Sequence, residues 1–527
     1  STWASPPRKS TSGTEKGKSP ISIPTNHPQN PLLQHLSTYF RQLLEQYGGL
    51  LSLNLAGHRL VLIGDIKVAH ELLDKHAAKH SSRPVMYYLR HHVDPTETYW
   101  SHSADGPTVS LGRRLGAGVM ARVRVGATEP LQAFEALLNV QKLLDDGGRE
   151  WFRHMIRFSA STALAAAYGM HCPDGDEPAL KNVREVIDEL VVLFNPTASI
   201  VNVLPFLDLI PGPMPWRTRA RAFNKRDQTV YQELLDRALT GRASGMNTWA
   251  AAFAHKDSPD GDQSRLLKTF SGAAIETTAI SLQIFVLACI RHPEWVATAQ
   301  EKIDAVVGPD RLPSFKDRPL LPYVEAIVRE TLRWRPAARC GVPHQSIADD
   351  TIEYQGQTYF IPKGSIIFAV AWLVAPSSSH TPTKNYRFNT RAIEHDQSRF
   401  KDHDRFMPSR FLDAEGDLKP NYETSAFGFG RRACPGVPFA ERSLWISIAT
   451  LLWTFNIRGS DALDLETGEP FKYDDGDDAF NGDLTNALLP FPAIFEPRSR
   501  QRAEVARREW AECEKNLEVL LPVSKDG

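Results

Sequence analysis

The sequence predicts a mainly α-helical fold with a minor β part, built as one domain. From about Leu131 to Ile290 apolar residues recur at helical spacing through LQAFEALLNVQKLL, WFRHMIRFSASTALAAAYG and ALKNVREVIDELVVLF. Within that body, Leu266 to Ile290 is apolar nearly all round, which predicts a helix buried through its middle rather than one lying on its surface. Strand signals are confined to short stretches, LLSLNLAG and HRLVLIG near the start and TIEYQGQTYFIPKGSIIFAV later.

Composition narrows the function classes. The 527 residues are 42% hydrophobic and 23% charged, enough for a large core. Sixty-one Lys+Arg against 62 Asp+Glu leave a formal charge of −1, which removes the bulk electrostatic case for a nucleic-acid binder. Cys172, Cys289, Cys340, Cys434 and Cys513 are scattered with no C-x-x-C pair, so neither a zinc ribbon nor a disulfide framework is expected and a reducing compartment is. No run of about 18 consecutive apolar residues is present. The chain as given is expected to be soluble, with any membrane anchor lying ahead of Ser1.

Taken in order, residues 1–30 are rich in Ser, Thr, Pro and Lys and read as a disordered linker. Order is expected from the amphipathic stretch Pro31–Gly48, followed by two strands meeting at a turn around Gly57. Asp65 stands as an N-cap before IKVAHELLDKHAAKH. After the proline-broken PFLDLIPGPMP comes a long basic helix, WRTRARAFNKRDQTVYQELLDRAL. The domain is expected to run over 31–498, and 499–527 to form a charged helix and tail containing EVARREWAECEKNLEVLL.

The strongest local signal is FGFGRRACPG, Phe427 to Gly436. Its glycines permit tight turns and close approach to a flat partner, and Cys434 stands just ahead of the helix-forming FAERSLWISIATLLWTF. A helix N-terminus, with Arg431 and Arg432 nearby, favours thiolate over thiol. A thiolate there is a nucleophile or a metal ligand, while a lone cysteine is more often simply buried.

The ordered string F-x-x-G-x-R-x-C-x-G, filled by Phe427, Gly430, Arg432, Cys434 and Gly436, resembles the heme-binding signature of the cytochrome P450 family of heme-thiolate monooxygenases. The resemblance implies a single heme-thiolate domain with the buried central helix lying over heme b (iron protoporphyrin IX). By it Cys434 is the axial iron ligand, whose electron donation helps break the O–O bond. Phe427 would shield the sulfur and Arg432 would pair with a propionate.

Two further stretches extend the resemblance. Glu330 and Arg333 in RETLRWRP lie three apart on one helix face. By itself such a pair is a solvated surface ion pair worth roughly 0.3 kcal/mol. With Arg410 in FMPSRF it resembles the family's E-x-x-R network, which holds the thiolate loop. In GAAIETT, an acid and a hydroxyl interrupt an apolar helix. The residues alone leave open a Glu at the helix edge, with Thr277 bonded back one turn. The stretch resembles the family's oxygen-activation motif, which would make Glu276 and Thr277 a proton relay. It departs from the motif at Ala274, where glycine is usual.

Weaker correspondences follow. His344 stands where the family often places a propionate ligand, against an ordinary loop histidine. In GPTVSLGRRL, Val109 occupies the usual tryptophan position and leaves Arg113 to hold a propionate. Phe270, Ala273, Val342, Leu488 and Leu489 are the expected substrate contacts, each of which could equally be core. LVAPSSSHTPTKNYRFNTR, residues 373–391, shares no periodicity with its flanks and reads as an inserted surface loop, a retained intron or a lineage insertion.

The implied reaction is insertion of one oxygen atom of dioxygen into a small apolar substrate. NADPH electrons would come from a separate NADPH-cytochrome P450 reductase, since the chain has no dinucleotide fingerprint. The overall style is similar to fungal microsomal enzymes of secondary metabolism, such as those like O-methylsterigmatocystin oxidoreductase. That likeness implies the cytosolic face of the endoplasmic reticulum membrane. Arg431, Arg432 and Arg442 are expected to offer a docking face for the reductase. The rival readings are an oxygen-independent heme isomerase or dehydratase, and a degenerate, non-catalytic heme-binding protein.

Overall fold

The computed structural model describes residues 40–515 apart from 41–42, 45, 56, 125, 195–197, 243–247, 255–262, 372–391, 462–467, 477–478, 482–484 and 486. The stretch 1–30 expected to be a linker, most of the amphipathic start, the segment 373–391 expected to be an insertion, and the tail beyond 515 therefore lie outside the described residues.

The chain opens with the expected hairpin. β1 (Leu50–Leu55) and β2 (His58–Ile63) pair antiparallel around Gly57, whose φ of +85° suits a residue without a Cβ. β2 also pairs in parallel with a strand some 300 residues later in the chain. With β3 (His344–Gln345), β4 (Asp350–Tyr354), β5 (Gln357–Ile361) and β6 (Ile366–Ala369), the first sheet runs β1-β2-β6-β3, and β4 and β5 form a separate hairpin. β7 (Phe455–Gly459) and β8 (Ala493–Pro497) form a third small sheet.

Asp65 caps the next segment, its Oδ1 accepting from the Lys67 N–H at 2.8 Å. The expected helix from Ile66 to His80 is not continuous. It widens into a π-helical turn over His70–Lys75 and resumes at Ala77. The helical body consists of α1 (Pro107–Arg124), α2 (Glu129–Asp146), α3 (Trp151–Tyr168), α4 (Pro178–Leu193), α5 (Pro215–Arg242), α6 (Lys268–Arg291), α7 (Val296–Val307), α8 (Pro322–Trp334), α9 (Val437–Thr454) and α10 (Arg500–Lys515).

α6 is the buried helix that the sequence predicts, and the small residues of α3 let it approach closely. The Ser159 hydroxyl donates across the gap to the Ala274 carbonyl at 2.9 Å. By length and composition α6 with the turn before it could cross a membrane, yet 72% of its most apolar window is buried inside the protein, so its apolarity is spent on packing.

Two hydrophobic cores meet on this helix. Phe270 and Ile275 join one with α1, α3, α4 and α5; Ile280 to Cys289 join the other with α7, α8 and α9. Between them Ala273 is exposed, and Ala274, Glu276 and Thr277 are only half-buried. An opening in the middle of an otherwise buried helix marks a hollow against it.

Candidate cysteine-centred active site

The loop from Phe427 to Gly436 is closed by the Cys434 N–H donating to the Phe427 carbonyl at 2.7 Å. Gly428 and Gly430 take φ of +70° and +55°. Gly430 has a second reason to be glycine: a Cβ there would lie 1.8 Å from the Leu73 carbonyl oxygen, which the π-helical turn presses against the loop. Gly436 is the N-cap of α9. The backbone N–H groups of Gly436 and Val437 act on the Cys434 sulfur, and Arg113 donates to the neighbouring Ala433 carbonyl at 3.1 Å.

Two expectations about this sulfur change. The positive charge beside it comes from Arg113, not from Arg431 or Arg432. Burial pushes the thiol up, and the two N–H groups and Arg113 oppose that without reversing it. The helix N-terminus therefore does not by itself make a thiolate here; a cationic partner such as a metal ion would. Cys434 lies deep in the protein yet its side chain is exposed. Both hold only if the sulfur faces an internal hollow.

Basic groups gather nearby. Arg83, Arg113, Arg432, His102 and His344 act on one another, and Asp105 is the acid that acts on Arg432. Burial, with repulsion from neighbouring guanidiniums, lowers Arg83 to about 9 and Arg432 to about 10. The same causes lower His102 and His344 to about 3. Their hydrogen bonds go largely to main-chain oxygens. Arg432 donates to Ser81 at 2.7 Å and Ser103 at 2.9 Å, Arg83 to Val342 at 2.6 Å and Pro343 at 2.9 Å. His344 Nδ1 is 2.8 Å from the His80 carbonyl. His102 Nε2, buried, finds no hydrogen-bond partner among the described residues. An excess of buried cations beside a recessed thiol fits a flat, anionic group carrying a metal ion and carboxylates, which is the chemistry of heme.

Beneath the loop, Glu330 and Arg333 are fully buried and joined at 2.6 Å (Nε–Oε2) and 3.0 Å (Nη2–Oε1). Arg410 reaches Glu330 Oε1 at 3.1 Å, and the Met407 N–H donates to the same oxygen at 2.7 Å. Arg333 also donates to the carbonyls of Glu394 at 2.9 Å and His403 at 2.8 Å. The pair is thus no solvated surface contact. On α6, the Thr277 hydroxyl donates to the Ala273 carbonyl at 3.0 Å, while Glu276 Oε2 accepts from the Thr485 hydroxyl at 3.2 Å. The back-bond that the residues alone left open for Thr277 is present; Glu276 is held by a loop rather than facing open water.

The expected substrate contacts are not brought together evenly. Phe270 is buried against Trp100, with ring centroids 5.4 Å apart, and against Gly116, where a Cβ would come within 2.0 Å of the ring. Ala273 opens onto the hollow. Val342 is half-buried, its carbonyl held by Arg83. Leu488 is in the main hydrophobic core, bridged to Phe480, and Leu489 is half exposed.

Comparison with known proteins agrees along the chain. The cytochrome P450 family profile matches residues 16–380 and 385–469. This chain belongs to the cytochrome P450 family. The monooxygenase drtD of Aspergillus calidoustus is 32% identical over 517 residues, covering 94% of this chain and 90% of that protein. Cytochrome P450 monooxygenase 58 of Postia placenta is 31% identical over 493 residues, covering 90% and 87%. The Armillaria gallica monooxygenase ARMGADRAFT_1018420 is 32% identical over 502 residues, covering 89% and 87%. The protein is accordingly a monooxygenase that uses heme iron, dioxygen and a redox partner.

One expectation about this cytochrome P450, the docking face, changes, and the Val109 departure is placed in the core. Of the three arginines expected to form a docking face only Arg431 is exposed, since Arg432 is buried and Arg442 is tied to Glu129 at 3.2 Å. Val109, at the usual tryptophan position, is 2% exposed and packs in the core beside Trp100. Arg83 and His102 were not singled out from sequence. They sit on separate segments with no motif, Arg83 just after the short helix ending at His80 and His102 in a single turn over Trp100–His102.

Proposed function

We propose that this cytochrome P450 inserts one oxygen atom of dioxygen into a small apolar substrate, with heme b as its prosthetic group and NADPH electrons delivered by a separate reductase. The observation that supports this most is Cys434, a recessed thiol facing a hollow beside a cluster of buried cations. Heme bound there would supply the iron at which dioxygen is reduced.

Cys434 would hold that iron, with the Gly436 and Val437 N–H groups sharing the sulfur's charge. Phe427 would cover the sulfur, and Gly430 and Gly436 let the loop lie close. Arg113, Arg432 and His344 would hold the propionates, with Arg83 as a further donor. Glu330, Arg333 and Arg410 would keep the loop in place. On α6, Thr277 parks its proton on the Ala273 carbonyl and presents its lone pairs, and the Glu276–Thr485 contact gives the next step of a proton path. Ala273, which is exposed, and Val342, which is half-buried, fit a substrate wall better than the core residues Phe270 and Leu488 do.

The cytosolic face of the endoplasmic reticulum membrane is the proposed location. Ile200, Val203, Phe206 and Leu209, each more than half exposed, form an apolar surface suited to a bilayer, and co-sedimentation with microsomes checks it.

The deciding experiment is the optical spectrum of the reduced, heme-loaded protein under carbon monoxide. A strongly red-shifted Soret band that disappears in Cys434→Ser is expected. No such band in the unaltered protein would favour a degenerate heme binder. An intact band with turnover independent of NADPH would favour the isomerase or dehydratase.

A further inference from the structure

Outside the cysteine site, two clusters of histidine and aspartate among the described residues could receive a cation, and their geometry separates them. In His76, His80 and Asp350 the carboxylate is already engaged. His76 Nδ1 and His80 Nε2 lie 2.6 and 2.9 Å from Asp350 Oδ2, and Lys79 Nζ is 2.5 Å from Oδ1. Those are hydrogen-bond lengths, and an ammonium fills the place of a metal.

The second cluster is different. We propose that His395, His403 and Asp404 form a binding site for one Zn²⁺-class divalent cation that closes the loop over residues 395–404, where it is hydrogen-bonded to Trp334 at the end of α8. His395 Nδ1 and His403 Nδ1 lie 3.4 and 3.2 Å from Asp404 Oδ1, and the three ligand atoms fall within 4.8 Å of one another. Charge-assisted hydrogen bonds are shorter, about 2.7–2.9 Å. Ligands held about 2.0–2.1 Å from a tetrahedral zinc ion are about 3.3–3.4 Å apart, which is the spacing found. Two imidazoles and one carboxylate suit zinc, and the 68% exposed Asp404 side chain leaves the fourth position to water.

The surroundings fix the ligands. The His395 Nε2–H donates to the Trp334 carbonyl at 2.9 Å, which puts the ring proton there and a lone pair on Nδ1. The Gln397 amide stands 3.5 Å from His403 Nε2. The Trp334 indole N–H donates to the Asp404 carbonyl at 2.7 Å. Two guanidiniums, Arg335 and Arg333, lie near His395, with Arg335 Nη1 3.4 Å from Nε2. The two guanidiniums have their own carboxylates, Glu330 for Arg333 and Asp475 for Arg335. Because the Glu394 and His403 carbonyls both accept from Arg333, an ion here would brace the network under the cysteine loop.

The test uses the full-length, heme-loaded protein, stripped with EDTA, desalted and dialysed against zinc sulfate, with bound zinc counted by mass spectrometry. One zinc per chain is expected in the unaltered protein and in His76→Gln, with affinity at least about tenfold weaker in His403→Gln and in Asp404→Asn. Asp404→Asn is isosteric and keeps its main-chain bonds, so it remains informative should His403→Gln not fold. Failure of the unaltered protein to retain zinc, or equal retention by both variants, overturns the proposal. The carbon monoxide spectrum is read separately, so a missing zinc ion leaves the heme assignment untouched.

Discussion

Around Cys434 the charged side chains are held by carbonyls far away in sequence, whereas on α6 the Thr277 hydroxyl is held within its own helical turn and Glu276 accepts from a hydroxyl of a late loop. Arg432 reaches back to Ser81 and Ser103, and Arg333 reaches forward to Glu394 and His403. The Thr277 hydroxyl donates to the Ala273 carbonyl one turn back, and Glu276 accepts from Thr485 at 3.2 Å. The thiol side is thus fixed by several segments at once. The α6 side rests on more local hydrogen bonds, which would suit the proposed proton path. Under the proposed function, such a division would let one scaffold hold its metal ligand rigidly while protons pass through groups that can turn.

The largest test of that contrast is Glu330→Ala. It strands Arg333, which is fully buried, and Arg410 beside it. Breaking one partner of a buried pair costs about 3–5 kcal/mol. Urea unfolding should show that loss, with heme lost in proportion; a change under about 1 kcal/mol would mean the network is not under stress.

How much of this was legible in sequence follows the same division. Cys434 with its glycines and the Glu330–Arg333 pair could be read because the chemistry needs fixed spacing within one loop or one helical turn. Arg410 followed from FMPSRF. Arg83 and His102 could not be read, because they join the cation cluster through tertiary folding and their neighbours in sequence carry no period. Nor could Arg431 and Arg432 be told apart: adjacent in sequence, one is exposed and the other buried among carbonyls. In the fold, the helix-buried-all-round signal located α6 correctly, since an apolar circumference leaves no other place for it. The π-helical turn at His70–Lys75 has no sequence signal; it places the Leu73 carbonyl against Gly430, a contact made only in the folded chain.

Acid should weaken the thiol side next. His102 and His344 are lowered from 6.5 to about 3 in the folded protein, chiefly by burial. The unfolded chain therefore takes up protons first as pH falls. Stability from these two groups is complete above about pH 6.5 and declines continuously toward pH 3, by at most about 1.4 kcal/mol per pH unit for each. Urea midpoints measured from pH 7.5 to 5 should fall, and His102→Gln should flatten the slope. A midpoint independent of pH would show that the cluster is neutralised by another group.

On the α6 side the expected effect is on chemistry instead of folding. Thr277→Ala removes one back-bonded hydroxyl, worth less than about 1 kcal/mol to the helix. Product formed per NADPH consumed should fall about tenfold while the carbon monoxide spectrum stays unchanged. Equal coupling in Thr277→Ala and the unaltered protein would remove Thr277 from the proton path.

The smallest effect should come from deleting residues 373–391, and it bears on how firmly the thiol side is specified. On either side of that segment the Ile393 N–H donates to the Val370 carbonyl at 3.0 Å and the Glu394 N–H to the Ala371 carbonyl at 2.9 Å. With Trp372 joined directly to Ala392, both bonds become successive i→i+4 bonds, the pattern of a single helical turn. The deletion therefore asks for no new contact, and Glu394, whose carbonyl Arg333 uses, keeps its place. Shortening the connection lowers the entropy cost of closing it by about 1–2 kcal/mol, so the deleted protein should be equally stable or slightly more stable, with its heme spectrum intact. A loss of heme on deletion would mean that the segment supports the Arg333 acceptors, and that the thiol side depends on one more piece of chain than its hydrogen bonds reveal.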